Sequence, residues 1–158
     1  MVGEEKFRKV MGHFSTGVTV VCSRKPDREP VGLTVSAFAS LSLDPPLVLI
    51  CIHQDADAHD PMLQAGHFGV SILRAEQEEL ALRSAMVDPG HRFQDLAVTD
   101  GPLGSPLVEG ALAWMECRIH EVYSGGDHSI IVGEAQECEA MDGDPLLFFR
   151  GSLMGSRP

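Results

Sequence analysis

Near the start of the chain, apolar residues recur at positions i, i+3, i+4 and i+7, namely Phe7, Val10, Met11 and Phe14. This spacing predicts an amphipathic helix over residues 4–15, whose aromatic stripe packs against another part of the molecule. Helix-forming side chains also dominate residues 75–86 and predict a second helix there. The apolar face of this second helix is expected to comprise Leu80, Leu82, Ala85 and Met86.

Apolar runs of strand length cover most of the remaining chain. They are rich in β-branched residues and bounded by turn-forming Gly, Pro, Asp and Ser, which indicates strands. The predicted strands are residues 18–23, 31–35, 47–52, 68–72, 113–122, 129–136 and 146–149. The first two are expected to form a hairpin, and so are the fifth and sixth.

Three connecting segments carry predictions of their own. Residues 34–44 mix hydroxyl and single apolar side chains, which predicts a polar loop that leads into the third strand. Asp60-Pro61 predicts the start of a short helix over residues 61–65, with Asp60 as N-cap. Residues 87–106 form a long irregular segment, a kind that is uncommon unless it covers a site or an interface, so we expect a cover there.

The number and order of these elements predict the fold class. Six or seven short strands and two helices without regular β-α alternation argue against a doubly wound parallel sheet. They favour a mainly β protein, an antiparallel barrel whose strands close on themselves, with peripheral α-helices. A length of 158 residues is typical of one domain, and we expect residues 1–158 to form a single domain.

Composition and charge narrow the class of function. Hydrophobic residues make up 44% of the chain and charged residues 22%, as is usual for a globular protein. The formal net charge of −11 repels phosphate backbones and anionic lipid, so neither nucleic acid nor a membrane is an expected partner. No apolar run approaches the roughly 20 residues of a membrane span, and the charged N-terminus does not resemble a signal peptide.

The four cysteines form no C-x-x-C pair, and two of them, Cys22 and Cys51, lie in predicted core strands. We interpret them as reduced thiols of a cytoplasmic protein. The motifs of P-loop NTPases, Rossmann dehydrogenases and α/β-hydrolases are absent from the sequence. If a nucleotide binds, another arrangement holds it.

Two segments offer chemistry suited to a ligand. In residues 34–42, four hydroxyl side chains and their backbone amides could hold a phosphate or the polar edge of a heterocycle without positive charge. An ordinary Ser-rich loop explains the same composition. In Gly125-Gly126-Asp127-His128, a hairpin turn fixes His128 so that its imidazole could meet a bound cofactor or a hydride donor. On this pattern alone, a hairpin turn whose glycines supply positive φ is the favoured interpretation, and the two interpretations are compatible.

A third segment, residues 53–59, has the pattern H-x-D-x-D-x-H and raises the question of a metal site. Successive residues on one face of an extended chain lie nearly 7 Å apart. All four side chains therefore cannot reach one ion at about 2 Å, although two of them could. A solvated acidic loop before the helix at Pro61 is the favoured interpretation, and we expect no metal.

Taken in order, the motifs of the chain resemble those of the flavin reductase family, which has an FMN-binding split-barrel fold. The similarity covers essentially the whole chain. It is carried by MGHFSTGVTVV (residues 11–21), VGLTVSAFASLSLDPPLV (31–48), FGVSIL (68–73), GALAWMEC (110–117), GDH (126–128) and PLLFFRG (145–151).

The resemblance implies an antiparallel Greek-key split β-barrel that forms a homodimer. It also implies an NAD(P)H:flavin oxidoreductase, which reduces FMN, or FAD, with NADH or NADPH and supplies the reduced flavin to a monooxygenase component. His128 matches the histidine that lies near the flavin and the nicotinamide. The flavin-contacting residues that it implies are Thr34, Val35, Ser36, Ala37, Ser40, Leu41, Cys51 and His128.

One departure from the family concerns the flavin phosphate. After the strand at residues 47–52, where the family usually has small hydroxyl residues, this chain has Asp55 and Asp57. Carboxylates beside a phosphate repel it unless they are paired or point away. The departure motivates a second hypothesis, a non-catalytic flavin-binding or interaction protein of the split-barrel type.

Overall fold

The computed structural model describes residues 1–86, 92–93 and 96–155. Three α-helices lie within these residues, and a single 3-10 turn at Ala75–Gln77 precedes the third. The helices are α1 (Glu4–Met11), α2 (His59–Ala65) and α3 (Glu78–Met86). The strands are β1 (Thr16–Gly17), β2 (Thr19–Arg24), β3 (Pro30–Val35), β4 (Phe38–Leu43), β5 (Pro46–His53), β6 (His67–Ile72), β7 (Val98–Asp100), β8 (Pro106–Val108), β9 (Ala113–Gly125), β10 (His128–Ala140), β11 (Leu147–Phe149) and β12 (Ser152–Met154).

Seven strands form one antiparallel sheet in the order β3-β2-β6-β9-β10-β5-β4. Both predicted hairpins, β2–β3 and β9–β10, are present, and β4–β5 forms a third. A smaller sheet, β1-β11-β12, and the pair β7-β8 pack beside the large sheet. The mainly β, antiparallel fold class predicted from the sequence is confirmed.

The two edge strands of the large sheet, β3 and β4, are separated in sequence by only Ser36 and Ala37. The sheet therefore curls until its two edges approach each other, as in a barrel. Within the described residues no strand ladder joins β3 to β4. The amide of Cys51 donates to the carbonyl of Ala37 at 3.0 Å, which extends the pairing of β4 with β5 into this connection. The barrel is thus split rather than closed, and we call residues 36–37 and the adjoining strand ends the seam.

Strand β2 is covered on both faces. Val21 joins the barrel interior with Phe68, whereas Val20 packs in a second core with Ala81 of α3. Burial on both faces explains why the sequence of this strand is almost continuously apolar rather than alternating.

Phe68 fills the barrel interior because Gly133 on β10 leaves room for its ring. A Cβ at position 133 would lie 2.5 Å from Cζ of Phe68 and 2.8 Å from Cβ of Cys117. Both neighbours are fully buried and cannot move aside. The ring of Phe68, which reaches from β6 across β9 to β10, therefore requires glycine at this position.

The polar loop predicted for residues 34–44 is wrong for most of its length. Residues 38–43 form β4, which pairs with β5 from Phe38 opposite Ile50 to Leu43 opposite Pro46. The pairing satisfies backbone groups along β5 that a loop would leave to solvent. The ladder is irregular between Ser40 and Ser42, so Leu41 has no partner residue in β5.

The predicted helices are present, but their ends and buried faces differ from those predicted. Helix α1 ends at Met11, before Phe14. Helix α2 begins at His59 with Ala58 at its N-cap, so the prediction of Asp60 as N-cap is wrong. Helix α3 buries Ala81 rather than Leu82 or Met86. It is joined to β3 by the hydroxyl of Thr34, which donates to the carbonyl of Ala81.

The predicted cover segment can be compared with the structure only in part. Its residues 87–91 and 94–95 lie outside the described residues. The remainder is not wholly irregular, because β7 and the first residue of β8 belong to it and pair with each other. In the described part of the chain, no helix is long and apolar enough to cross a membrane.

Replacing Gly133 with Ala should destabilise the protein by about 1–3 kcal/mol, because the added methyl group overpacks the barrel interior. The free energy of unfolding, measured by denaturant titration, tests this. Gly17→Ala is the matched control, since a Cβ at position 17 meets nothing within 4 Å. Equal stability of the two variants would contradict the close approach at Gly133.

Candidate active site along the seam

The seam opens into two neighbouring cavities. One has a volume of about 470 Å³ and lies beside α3, where Thr34 lines it. The other has a volume of about 690 Å³ and lies beside α1, where Ala37 lines it. Ser36, Phe148 and Gly151 line both cavities. The two cavities therefore form one continuous depression, which we call the seam groove.

Two of the predicted hydroxyl contacts, those of Thr34 and Ser36, lie in the seam groove. The hydroxyl of Thr34 donates to the carbonyl of Ala81 at 2.8 Å, which ties β3 to α3 and leaves the oxygen lone pairs to accept from a ligand. Ser36 is exposed, and its hydroxyl has no protein partner in the described residues. Both groups can therefore bind the polar edge of a ligand.

The other residues predicted in this region are placed differently. Val35 is 5% exposed and its side chain belongs to the barrel core, so only its main chain is near the seam. Ala37 is exposed in the groove, and half-buried Cys51 is hydrogen-bonded to it through the main chain. Ser40 and Leu41 are exposed on β4 and line neither cavity.

The sequence analysis missed Thr16. Its hydroxyl oxygen is buried without a hydrogen-bond partner in the described residues, and the residue lines the cavity beside α1. A buried hydroxyl without a partner is costly, and a ligand with a polar edge would satisfy it. Thr16 reaches the groove because β1 pairs with β11, opposite Phe148. No local sequence signal indicates this pairing.

Helix α1 supplies an apolar wall to the groove through Phe7 and Met11. Its C-terminal end is fastened to the turn after β11. Nδ1 of His13 lies 2.7 Å from the carbonyl of Lys9, so Nε2 is the nitrogen that accepts from Arg150, at 2.6 Å. The amide of Arg150 also donates to the carbonyl of Gly12 at 2.9 Å. The wall is thus held by side-chain and main-chain bonds.

His128 begins β10, directly after the turn formed by Gly126 and Asp127. Its Nδ1 lies 2.6 Å from Oδ1 of Asp127, and its ring meets the ring of His53 edge-on, with the centroids 5.1 Å apart. The hydrogen bond from His128 is the main cause that lowers the pKa of Asp127. The carboxylate of Asp127 accepts a hydrogen bond from Nδ1 of His128. Within the described residues, Nε2 of His128 has no protein partner.

The register of the sheet relates His128 to the groove. Ile130, two residues further along β10, lies opposite Cys51, whose amide is bonded to Ala37. Two residues along a strand span about 7 Å. His128 therefore lies about 7 Å further along the sheet than Ala37, on a strand separated from β4 by β5, and it lines neither cavity.

The histidines of the H-x-D-x-D-x-H segment are not arranged for a metal. His59 is buried, with one ring nitrogen 2.7 Å from Asp60 and the other 2.9 Å from Ser129. It therefore joins α2 to β10. Among the described residues, no three His, Cys, Asp or Glu side chains are grouped closely enough to hold a metal ion.

The two aspartates of this segment have different environments. Asp55 is solvent-exposed, whereas the carboxylate of Asp57 pairs with Arg92 at 2.8 Å. The same guanidinium group lies 3.4 Å from the carbonyl of Gly32 on β3. The charge of Asp57 is thus compensated, and the phosphate repulsion expected from the sequence is reduced to that of Asp55.

The four cysteine thiols are free, and their environments differ. Burial raises the pKa of Cys117 to about 12 and raises the pKa of Cys22 further. Burial also raises the pKa of Cys51, while Cys138 is exposed. Since the thiolate is the reactive form, the four thiols should differ in reactivity.

The comparison with family models gives a match over residues 11–156 to the flavin reductase like domain. The FMN reductase (NADH) SmoA of Agrobacterium fabrum is 42% identical over 147 residues, which are 93% of this chain and 83% of that protein. The flavin-dependent monooxygenase reductase subunit HsaB of Rhodococcus jostii is 37% identical over 158 residues, with 99% and 80% of the two chains covered.

Solved structures give the same result. The NADH:FAD oxidoreductase SgcE6 of Streptomyces globisporus C-1027, in complex with NAD and FAD fragments, superposes with a TM-score of 0.90. It is 38% identical, and the alignment covers 100% of this chain and 97% of that one. Sequence and structure therefore agree on the family.

Under native conditions at about pH 8, a thiol reagent such as DTNB should modify Cys138 rapidly and Cys51 slowly, because a raised pKa lowers the thiolate fraction. Cys22 and Cys117 should react only after unfolding. Absorbance kinetics measure the phases, and Cys138→Ser should abolish the fast one. A fast phase that persists in this variant would contradict the predicted order of thiol reactivity.

Proposed function

This chain belongs to the family of flavin reductase-like domains, and from that premise we propose that it uses NADH to reduce FMN or FAD. The reduced flavin would be supplied to a separate monooxygenase component, and the name of the relative HsaB, reductase subunit of a flavin-dependent monooxygenase, supports this part of the proposal. The observation that carries the proposal is the seam groove, in which unpartnered hydroxyl groups face an apolar wall.

The residues of the groove fit a flavin. Its ring system is large, planar and mostly apolar, with one polar edge, so a suitable site combines an apolar surface with a few directed polar groups. Phe7 and Met11 supply apolar surface, whereas Thr16, Thr34 and Ser36 supply hydroxyl groups. These hydroxyl groups suit the polar edge of an uncharged heterocycle, and two charged residues, Arg8 and Glu78, also line the groove.

The bound nicotinamide would supply a hydride to the bound flavin, which is chemistry of the cofactors themselves. The chain has to hold the two rings at reacting distance, orient them and exclude water. The carbonyls and hydroxyls at the seam bind the polar edge, and α1 shields the groove from solvent on one side.

We assign His128 the catalytic position. Asp127 orients its ring by accepting from Nδ1, and His53 packs against it, so Nε2 can donate to or accept from a cofactor beside the seam. Thr34, Ser36 and Ala37 are proposed to bind the flavin, with Thr16 as a further contact. Val35 and Cys51 would act through their main chains, and Ser40 and Leu41 would need to meet a part of the ligand that extends over β4.

A homodimer is part of the proposal. The apolar stripe of α1 and the turn after it stays exposed in the single chain, with Phe7 of α1 59% and Phe14 of the turn 71% exposed. Grouped apolar side chains of this kind usually mark an interaction surface, and we propose that a second copy covers them. Sedimentation velocity should then show one species of twice the chain mass at micromolar concentration. A species with the mass of one chain would exclude the dimer.

Two further assignments complete the proposal. The four free thiols, one of them exposed, support a reducing compartment, and we propose the cytoplasm. We also propose that residues 1–158 act as one domain, since β2 contributes to both hydrophobic cores.

The experiment is an anaerobic assay in which the purified protein is mixed with FMN or FAD and either NADH or NADPH. We expect NADH to bleach the flavin absorbance far faster than in a protein-free control. If no combination of flavin and nicotinamide is bleached faster than in the control, the proposal is wrong. Flavin binding by fluorescence quenching without bleaching would instead support a non-catalytic flavin-binding protein.

Replacing His128 with Ala should slow flavin reduction by about 10²-fold, because the nicotinamide and flavin lose an orienting contact. Flavin affinity should change much less, since the hydroxyl groups of the seam remain. His120→Ala is the matched control, as His120 is an exposed histidine on β9. Equal losses of rate and affinity would mean that His128 only shapes the turn.

A further inference from the structure

A second cavity lies at the opposite end of the β2–β3 hairpin from the seam groove. It has a volume of about 310 Å³ and lies between the hairpin turn, the end of α2 and the loop before β8. Its lining residues are mostly polar or positively charged, and we call it the hairpin cleft. They are Arg24, Lys25, Pro26, Arg28, Gln64, Ala65, His67, Leu103 and Gly104.

The cleft concentrates positive charge in an acidic protein. The whole chain has 12 Lys and Arg against 23 Asp and Glu, yet three of the 12 line this one cavity. Among the residues that the structure describes, no carboxylate lines the cleft. The negative net charge of the protein opposes the approach of an anion, whereas the three basic residues of the cleft attract it locally.

Arg24 forms a fixed side of the cleft. Its Nε donates to the carbonyl of Gly104 at 3.0 Å, its Nη1 donates to the carbonyl of Arg28 at 2.7 Å, and its Nη2 pairs with Asp100. These bonds join the hairpin turn to the loop before β8 and hold both sides of the cavity in place. The remaining N–H groups of the guanidinium are free to bind a ligand.

Lys25 and Arg28 have no side-chain partner in the described part of the chain. The nearby carboxylates do not neutralise them directly. Asp100 is paired with Arg24, and Asp27 accepts the amide of Glu29 at 3.1 Å. Glu29 itself is exposed outside the cavity. Two unpaired cations therefore remain at the mouth of the cleft.

His67 and the loop opposite are fixed by a buried carboxylate. Glu116 is fully buried and accepts the amides of Leu103 at 2.6 Å and Ser105 at 2.7 Å. The hydroxyl of Ser105 lies 2.7 Å from Nδ1 of His67, so this nitrogen is engaged and Nε2 is left without a partner in the described residues. The wall of the cleft is thus preorganised rather than assembled by the ligand.

We propose that the hairpin cleft binds the phosphate group of a small phosphorylated molecule. The ammonium group of Lys25 and the guanidinium group of Arg28, at the mouth of a preformed wall, suit phosphate oxygens, and Nε2 of His67 and the side-chain amide of Gln64 add further contacts. The volume is at the lower end for a small-molecule site and admits inorganic phosphate or a mononucleotide. This site is independent of the seam groove and does not depend on flavin reduction.

The test is a titration of isotope-labelled protein with inorganic phosphate and, separately, with AMP, followed by amide chemical shifts. Ionic strength is kept constant with chloride so that screening does not change. We expect saturable shifts in the hairpin turn, at Gln64 and His67 and at Gly104, with a dissociation constant of about 1 mM or lower. Tighter binding of AMP than of phosphate would identify a nucleotide site, and equal binding a site for phosphate alone.

The double variant Lys25→Met/Arg28→Gln should weaken this binding at least about tenfold, which corresponds to about 1.4 kcal/mol. Its flavin reduction and thermal stability should match those of the wild type. Lys6→Met/Lys9→Met, which removes two exposed cations of α1, is the matched control and should bind as the wild type does. Absence of saturable shifts, or equal weakening in both double variants, would overturn the proposal.

Discussion

The structure depends on one topological constraint, which is that the two edges of the main sheet are consecutive in the chain. Only Ser36 and Ala37 connect β3 to β4, so the sheet must curl until its ends nearly meet. Two residues are too few to add another strand, and within the described residues no strand ladder joins the two edges. The line where the barrel does not close therefore combines accessible backbone, small side chains and hydroxyl groups, and it becomes the groove.

Close packing behind the seam makes this arrangement rigid. Gly133 lets Phe68 fill the barrel, and β2 is held by a second core on its other face. The groove can thus keep an unsatisfied hydroxyl, that of Thr16, because the surrounding elements are fixed by burial elsewhere. A site prepared in this way loses little entropy on binding a rigid planar ligand.

Several carboxylates of this acidic chain are paired with groups of the protein itself. Asp57 is paired with Arg92, Asp100 with Arg24, and the buried Glu116 with two backbone amides. These three carboxylates are therefore engaged within the protein. A chain with a net charge of −11 thus presents a cationic cleft at the turn of the β2–β3 hairpin, away from the seam groove.

Two histidines that each neighbour an aspartate in the sequence, His59 and His128, have different structural roles. His59 is buried and uses both ring nitrogens to join α2 to β10, which removes it from any metal site. His128 uses only Nδ1, toward Asp127, and keeps Nε2 available. Sequence spacing does not distinguish the two, because the number of partners each ring finds is decided by packing.

By itself, the sequence determined the strand and helix periodicity, the hairpin turns and the family motifs, since these are local patterns set by backbone geometry and side-chain type. Only the tertiary structure decided that residues 38–43 pair as an edge strand, that Val35 faces the core, and that Thr16 and α1 reach the groove. Those outcomes depend on long-range pairing and burial, which no local pattern contains.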